Sequence, residues 1–142
     1  MGTAVAVPYG VPAQGQYLVA TSTTAAEWGY SPWDSTTVTA AAGAGAGSAP
    51  PSPVVAAGST ITRGSLTAGT GTSSATGVLV AVTFGTTLPA VPIVVIASTT
   101  SAVAAKSPAV TVVSATGFSV SITSPSDSQA NTVYGISWML SL

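Results

Sequence analysis

Residues 78–84, VLVAVTF, and residues 118–122, FSVSI, carry large apolar side chains at every second position. A period of two places these side chains on one face of a β-strand. The shared faces are Val78, Val80, Val82 and Phe84 in the first stretch and Phe118, Val120 and Ile122 in the second. Both stretches are therefore predicted to be strands whose apolar faces turn toward a common core.

Further runs rich in β-branched residues are separated by Gly, Pro and Ser, which is typical of strands joined by turns. They predict strands near residues 77–84, 93–98, 110–114, 118–123 and 134–142, with a weaker sixth near 60–66. Residues 115–117, ATG, fit a tight hairpin in which Gly117 adopts a positive φ. The predicted fold is an all-β, small antiparallel β-sandwich of five to six strands over residues 59–142. The predicted core residues are Val80, Val82, Phe84, Phe118, Val120, Ile122 and Trp138.

Charge is scarce along the chain. Only 4% of its 142 residues are charged, against about a quarter in an average soluble domain, and there is no His or Cys. The charged residues are Arg63, Lys106, Glu27, Asp34 and Asp127. The absence of Cys excludes disulfides, and three scattered carboxylates predict no metal site. Nucleic acid is a poor candidate partner, because phosphate binding needs several Lys or Arg and the chain has two basic residues. A net charge of −1 on a small body favours association, so we expect the chain to assemble with copies of itself.

The mean hydropathy of +0.60 raises the question of a membrane span. The most apolar run, residues 88–97, is shorter than the roughly 20 residues a helix needs, and Pro89 and Pro92 interrupt it. The first residues, MGTAVAVPYG, lack the basic segment of a signal peptide. We therefore expect no membrane insertion. The two prolines also indicate that the strand near residues 93–98 is an edge strand or follows a bend.

Aromatic residues are concentrated at the start of the chain. Residues 1–38 contain Tyr9, Tyr17, Trp28, Tyr30 and Trp33. Tyr and Trp bury a large area through one rigid ring and are favoured at binding hot spots. A region this short, with few aliphatic side chains, folds alone only marginally. We predict that these five aromatics dock the region on another protein, the alternative being a small independent core without a partner.

Residues 39–58, TAAAGAGAGSAPPSPVVAAG, differ in composition from both flanks. Gly-Ala alternation buries little surface, and the Pro-rich part favours an extended polyproline conformation. The stretch is therefore predicted to be a linker between the anchor, residues 1–38, and the sandwich, residues 59–142.

Two carboxylates stand beside aromatic residues in EWGYSPWD, residues 27–34. Glu27 and Asp34 with Trp28 and Trp33 could serve a glycosidase as an acid, a base or nucleophile, and sugar platforms. Such a site needs several further polar groups, so we favour the alternative that the acids cap turns or keep the segment soluble.

A Ser–Lys pair is the other candidate for catalysis. Lys106 could activate Ser65 or Ser107, but no oxyanion motif and no His accompany these residues. We therefore predict no enzymatic activity and no cofactor.

Four segments occur in an order that resembles the H-type-lectin-like sandwich found at the tips of phage fibres and spikes. They are VTFG at 82–85, LPAVPIVV at 88–95, VTVVSATGFSV at 110–120 and YGISW at 134–138. Residues 12–20, PAQGQYLVA, followed by Trp28, are similar to a short module of phage fibre proteins, here predicted as a hairpin of residues 16–21 returning through Trp28. The resemblance implies a homotrimer. No residue matches the family's sugar-contacting residues, and none is carried over.

Together these features favour a bacteriophage structural protein on the outer surface of the virion. The preferred hypothesis is a capsid decoration or head-fibre protein that docks on the major capsid protein or another virion protein. The alternative is a tail-fibre or tail-tip subunit that recognises a host surface glycan. A tail fibre usually supplies a shaft, and only residues 39–58 separate the two predicted functional regions, so we prefer decoration.

Overall fold

The computed structural model describes residues 17–20, 25–29, 37–98, 108–123 and 130–142. The chain divides into two compact units, Met1–Ser35 and Thr36–Leu142. In the first unit, strand β1 (Tyr17–Ala20) pairs antiparallel with β2 (Ala26–Gly29). This confirms the hairpin predicted from the sequence.

The second unit is a β-sandwich of two four-stranded antiparallel sheets. Its strands are β3 (Val38–Ala42), β4 (Val54–Val55), β5 (Arg63–Gly69), β6 (Gly77–Phe84), β7 (Ile93–Ser98), β8 (Ala109–Ser114), β9 (Gly117–Ile122) and β10 (Val133–Ser141), and a short 3-10 helix spans Ala44–Ala46. One sheet has the order β4-β5-β10-β7 and the other β3-β6-β9-β8. The predicted all-β sandwich is confirmed, with eight strands in the described part of this unit in place of five or six. The six predicted strands correspond to β5 to β10.

The two additional strands are Val38–Ala42 and Val54–Val55, so the prediction that residues 39–58 form a linker is wrong. β3 pairs with β6, and β4 pairs with β5. Between them the Gly-Ala stretch packs its backbone on the start of β6, where the Gly43 N–H donates to the Leu79 carbonyl at 3.0 Å. A Cβ at Gly43 would clash with the Val78 carbonyl, so glycine permits this close approach. The segment joins both sheets through backbone pairing, and the folded unit begins at Thr36, well before residue 59.

Three aromatic side chains connect the two sheets through the core. The Phe118 ring centroid lies 6.1 Å from that of Phe84 in its own sheet and 6.0 Å from that of Trp138 in the other. The Trp138 Nε1–H donates to the Ile61 carbonyl at 3.1 Å, which satisfies the polar atom of a buried ring. All seven predicted core residues are buried: Val80, Val82, Phe84, Phe118, Val120, Ile122 and Trp138.

A β-bulge changes which side chains of β6 face the core. Val78 lies opposite Ser121 and Val80 opposite Val120, so Leu79 has no partner on β9. Leu79 and Val80 are both fully buried, whereas Val78 is half-buried. The expectation that Val78 shares the face of Val80 is therefore wrong, because the extra residue interrupts the period of two.

The hairpin between β8 and β9 agrees with the sequence. Ser114 and Gly117 are paired across the turn, and Gly117 has a φ of 159°. A Cβ at Gly117 would clash with the Val82 carbonyl of the neighbouring strand, so the position also requires the small size of glycine.

The described residues contain no helix that is both long enough and apolar enough to cross a membrane. The one described helix is the three-residue 3-10 turn Ala44–Ala46.

Replacing Phe118 with Ala is expected to lower the free energy of unfolding by about 3–5 kcal/mol, because the ring is buried between the other two aromatics. Denaturant unfolding followed by tryptophan fluorescence would measure the change. Val112→Ala is the control, since Val112 is 56% exposed and its truncation should cost less than about 0.5 kcal/mol. Equal midpoints for the two variants would contradict the observed packing.

Truncation tests the role of residues 39–58. A fragment of residues 36–142 retains both sheets and is expected to unfold cooperatively. A fragment of residues 59–142 lacks β3, β4 and the Gly43 contact, which leaves edge groups of β5 and β6 unpaired and exposes apolar core surface. We expect it to lose cooperative unfolding in thermal melts followed by circular dichroism. Similar melts for both fragments would show that the segment is dispensable.

Candidate docking and assembly surfaces

The hairpin of the first unit carries an apolar cross-strand pair. Leu18 on β1 lies directly opposite Trp28 on β2, and directly opposed side chains in an antiparallel pair are in contact range. Leu18 is 42% exposed and Trp28 is half-buried. The Trp28 Nε1–H is shielded from solvent and has no hydrogen-bond acceptor among the described residues. A buried donor without an acceptor costs about 1–3 kcal/mol, so this indole is incompletely satisfied within the described hairpin.

The remaining predicted docking residues are described only in part. Tyr17 lies in β1, opposite Gly29. Tyr9, Tyr30 and Trp33 lie outside the described residues. Of the five predicted anchors, the structure therefore places the strand positions of two, Tyr17 and Trp28.

A shallow depression of about 340 Å³ lies on the sandwich at the start of β5. Its lining includes Arg63, Ser59, Ser65, Ser137 and the edge of Trp138. The Ser59 hydroxyl donates to the Ser65 carbonyl at 3.3 Å and accepts from the Ser65 N–H at 3.2 Å, which holds the loop against β5. The Arg63 side chain is exposed. The depression thus combines a guanidinium with hydroxyl groups, the chemistry that a polar or anionic ligand requires.

Each candidate catalytic pair has a member outside the described residues. Glu27 lies in β2, whereas Asp34 is outside the described residues. Ser65 lies in β5, whereas Lys106 and Ser107 are outside them. Within the described ranges, no group of three or more His, Cys, Asp or Glu side chains could hold a metal ion.

One exposed apolar surface was missed by the sequence reasoning. Ile93 and Val95 on β7 and Met139 on β10 are 69%, 63% and 68% exposed. Met139 lies opposite Val95, and Ile93 lies opposite Ser141. The sequence signal for this surface is the lack of polar alternation in IVVIAS, residues 93–98. Apolar residues stand at both odd and even positions, so one apolar face of the strand lies outside the core.

β7 ends its sheet, which confirms the edge position that Pro89 and Pro92 indicated. No family model, curated protein or solved structure matches the chain. The resemblance to the H-type-lectin-like sandwich therefore stays a prediction that rests on the residues quoted for it. Function has to be argued from the hairpin, the depression and the exposed sheet face.

Proposed function

We propose that this chain is a structural protein of a bacteriophage particle, a capsid decoration or head-fibre protein displayed on the outer surface of the virion. Its first unit docks on the major capsid protein or another virion protein, and its sandwich assembles as a trimer. The observation that carries the docking role is the Leu18–Trp28 pair, which stands on a two-stranded hairpin separate from the sandwich core.

The size of the hairpin supports docking. An isolated two-stranded hairpin is marginally stable in water, so its apolar pair gains most by packing on another surface. Trp at the centre of such a contact is a common hot spot because its ring excludes water over a large area.

Self-assembly is supported by the surface of the sandwich. Several large apolar side chains are more than half exposed on it, among them Val54, Val91, Val112 and Val133. Charged residues that would keep such surfaces apart are scarce, since the whole chain has five. A structural role is also consistent with the absence of His and Cys from the sequence, which removes the commonest general base and the thiolate nucleophile.

The alternative, a tail-fibre or tail-tip subunit, is favoured by one feature, the depression at Arg63. Hydroxyl groups and a guanidinium at its rim could bind a host surface glycan. Glycan binding that is abolished by Arg63→Ala and unchanged by Trp28→Ala would favour this alternative over decoration.

Trp28→Ala is expected to weaken binding to particles stripped of this protein by about 2 kcal/mol or more, because it removes the proposed anchor. Co-sedimentation of particles with the purified chain would measure the affinity. Val54→Ala, at an exposed position of the sandwich, is the matched control and should bind as the unchanged chain does. Trp28→Phe retains an aromatic ring without the indole N–H and is expected to bind more tightly than Trp28→Ala. Unchanged binding of Trp28→Ala would exclude the hairpin as the anchor.

The proposed trimer predicts a solution mass of three chains, or a multiple of three, where one chain has 13.6 kDa. Light scattering coupled to size exclusion at micromolar concentration would measure it. A stable species of 13.6 kDa would contradict the trimer.

A further inference from the structure

The unpaired edge of β7, together with the exposed side chains of Ile93, Val95 and Met139 beside it, forms what we call the β7 edge surface. β7 is the last strand of the order β4-β5-β10-β7 and pairs on one side only, with β10. Within the described ranges no strand pairs with its other side. A free sheet edge presents N–H and C=O groups that can template a further strand.

The register identifies the backbone groups at this edge. The Leu140 N–H donates to the Thr62 carbonyl at 2.8 Å, on the side of β10 that faces β5. Because hydrogen-bonding groups of successive residues point to opposite sides of a strand, those of Met139 face β7, where Met139 lies opposite Val95. The groups of Val95 are therefore used within the sheet, and those of Val94 and Ile96 point to the free edge.

The common protections of an edge strand are weak here. Natural edges carry Lys, other charges, Pro or bulges that prevent pairing with another chain. Residues 93–98 of β7 contain no charge and no Pro, and residues 133–141 of β10 contain no charge either. Pro92 stands just ahead of the strand and leaves the groups of Val94 and Ile96 available.

We propose that β7 pairs edge to edge with β7 of a second copy of this chain, antiparallel about a two-fold axis through Val95. This arrangement places Val94 opposite Ile96 of the second copy, and Ile96 opposite its Val94, so that the free groups of both strands bond each other. Val95 then faces Val95 of the second copy in a non-hydrogen-bonded pair, with Cα atoms about 4.5 Å apart.

A second copy is the occupant that matches both features of the surface. The edge requires a strand, and β7 offers one with the correct phase of hydrogen bonds. The exposed apolar face requires an uncharged apolar neighbour, and the pairing places Met139 and Val95 of the two copies in one row across four strands, with Ile93 of each copy beside that row. Cross-strand pairs of β-branched residues are favourable, and no like charges oppose each other along either β7 strand.

This contact goes beyond the proposed virion role and does not depend on it. It is also independent of the trimer: with a three-fold contact elsewhere, pairing through β7 would join two trimers into a six-chain assembly, and without one it would give a dimer.

A single cysteine tests the pairing directly, since the natural chain has none. Val95→Cys is expected to form a disulfide-linked pair under mild oxidation, because Cα atoms about 4.5 Å apart fall within the range of disulfides, about 4.4–6.8 Å. Thr67→Cys and Thr83→Cys are the controls, at exposed β-branched residues of β5 and β6, two strands that do not end a sheet. Non-reducing electrophoresis would give the rates. Cross-linking of Val95→Cys no faster than that of the controls would overturn the proposal.

A charge at the same position supplies a second measurement. Val95→Lys places two like charges against each other and is expected to halve the solution mass, whereas Thr83→Lys, at an exposed position of the inner strand β6, should leave it unchanged. Circular dichroism melts would show whether each variant folds. If Val95→Lys does not fold, the cysteine cross-linking alone tests the proposal. If the mass falls from six chains to three, the result supports both the β7 contact and the trimer. If it falls from two chains to one, the result supports the β7 contact and contradicts the trimer. If Val95→Lys is folded and keeps the mass of the unchanged chain but loses particle binding, the edge serves another virion protein and self-pairing is wrong.

Discussion

The indole of Trp138 fills a space that several parts of the sandwich create together. Its ring lies over Gly64, where a Cβ would clash with it, so the neighbouring strand β5 has to carry glycine at the position opposite. Its Nε1–H uses the Ile61 carbonyl just before β5, and its ring meets Phe118 from the other sheet. One side chain therefore connects β10, the start of β5 and β9. A smaller side chain at a ring contact would leave a void in the core, and loss of the Ile61 contact would leave the indole N–H unpaired.

Around this aromatic centre, the fold is stabilised largely by small residues and backbone groups. Glycines at positions 43 and 117 allow neighbouring strands to approach carbonyl groups that a Cβ would contact too closely. Hydroxyl pairs such as Thr111–Ser121, at 2.6 Å, connect strands where charged residues would stand in other proteins. A surface built in this way has little electrostatic repulsion, and that property connects the composition to assembly.

The two units differ in how an exposed apolar group arises. In the hairpin, the Leu18–Trp28 pair lies on two short strands, and the described residues of that unit include no second sheet. In the sandwich, both faces of β7 are apolar, although only one can face the core, and the strand has a free edge. The first feature favours a partner that completes the hairpin, and the second favours a partner that extends the sheet. Docking and self-assembly are therefore proposed for different surfaces.

The local pattern of the sequence determined the fold class, the pairing of β1 with β2, the six strands from β5 to β10 and the seven core residues, because alternation and turn residues act over short distances. It did not reveal β3 and β4. The Gly, Ala and Pro content of this segment predicts a linker, because its side chains bury little surface. The segment forms strands because the backbones of β6 and β5 pair with it. The local pattern also did not place the bulge at Leu79 or the exposure of Val95. Residues far apart in the chain determine which face of an all-apolar strand is covered and which backbone groups are paired. Only the tertiary structure brings those residues together and decides both.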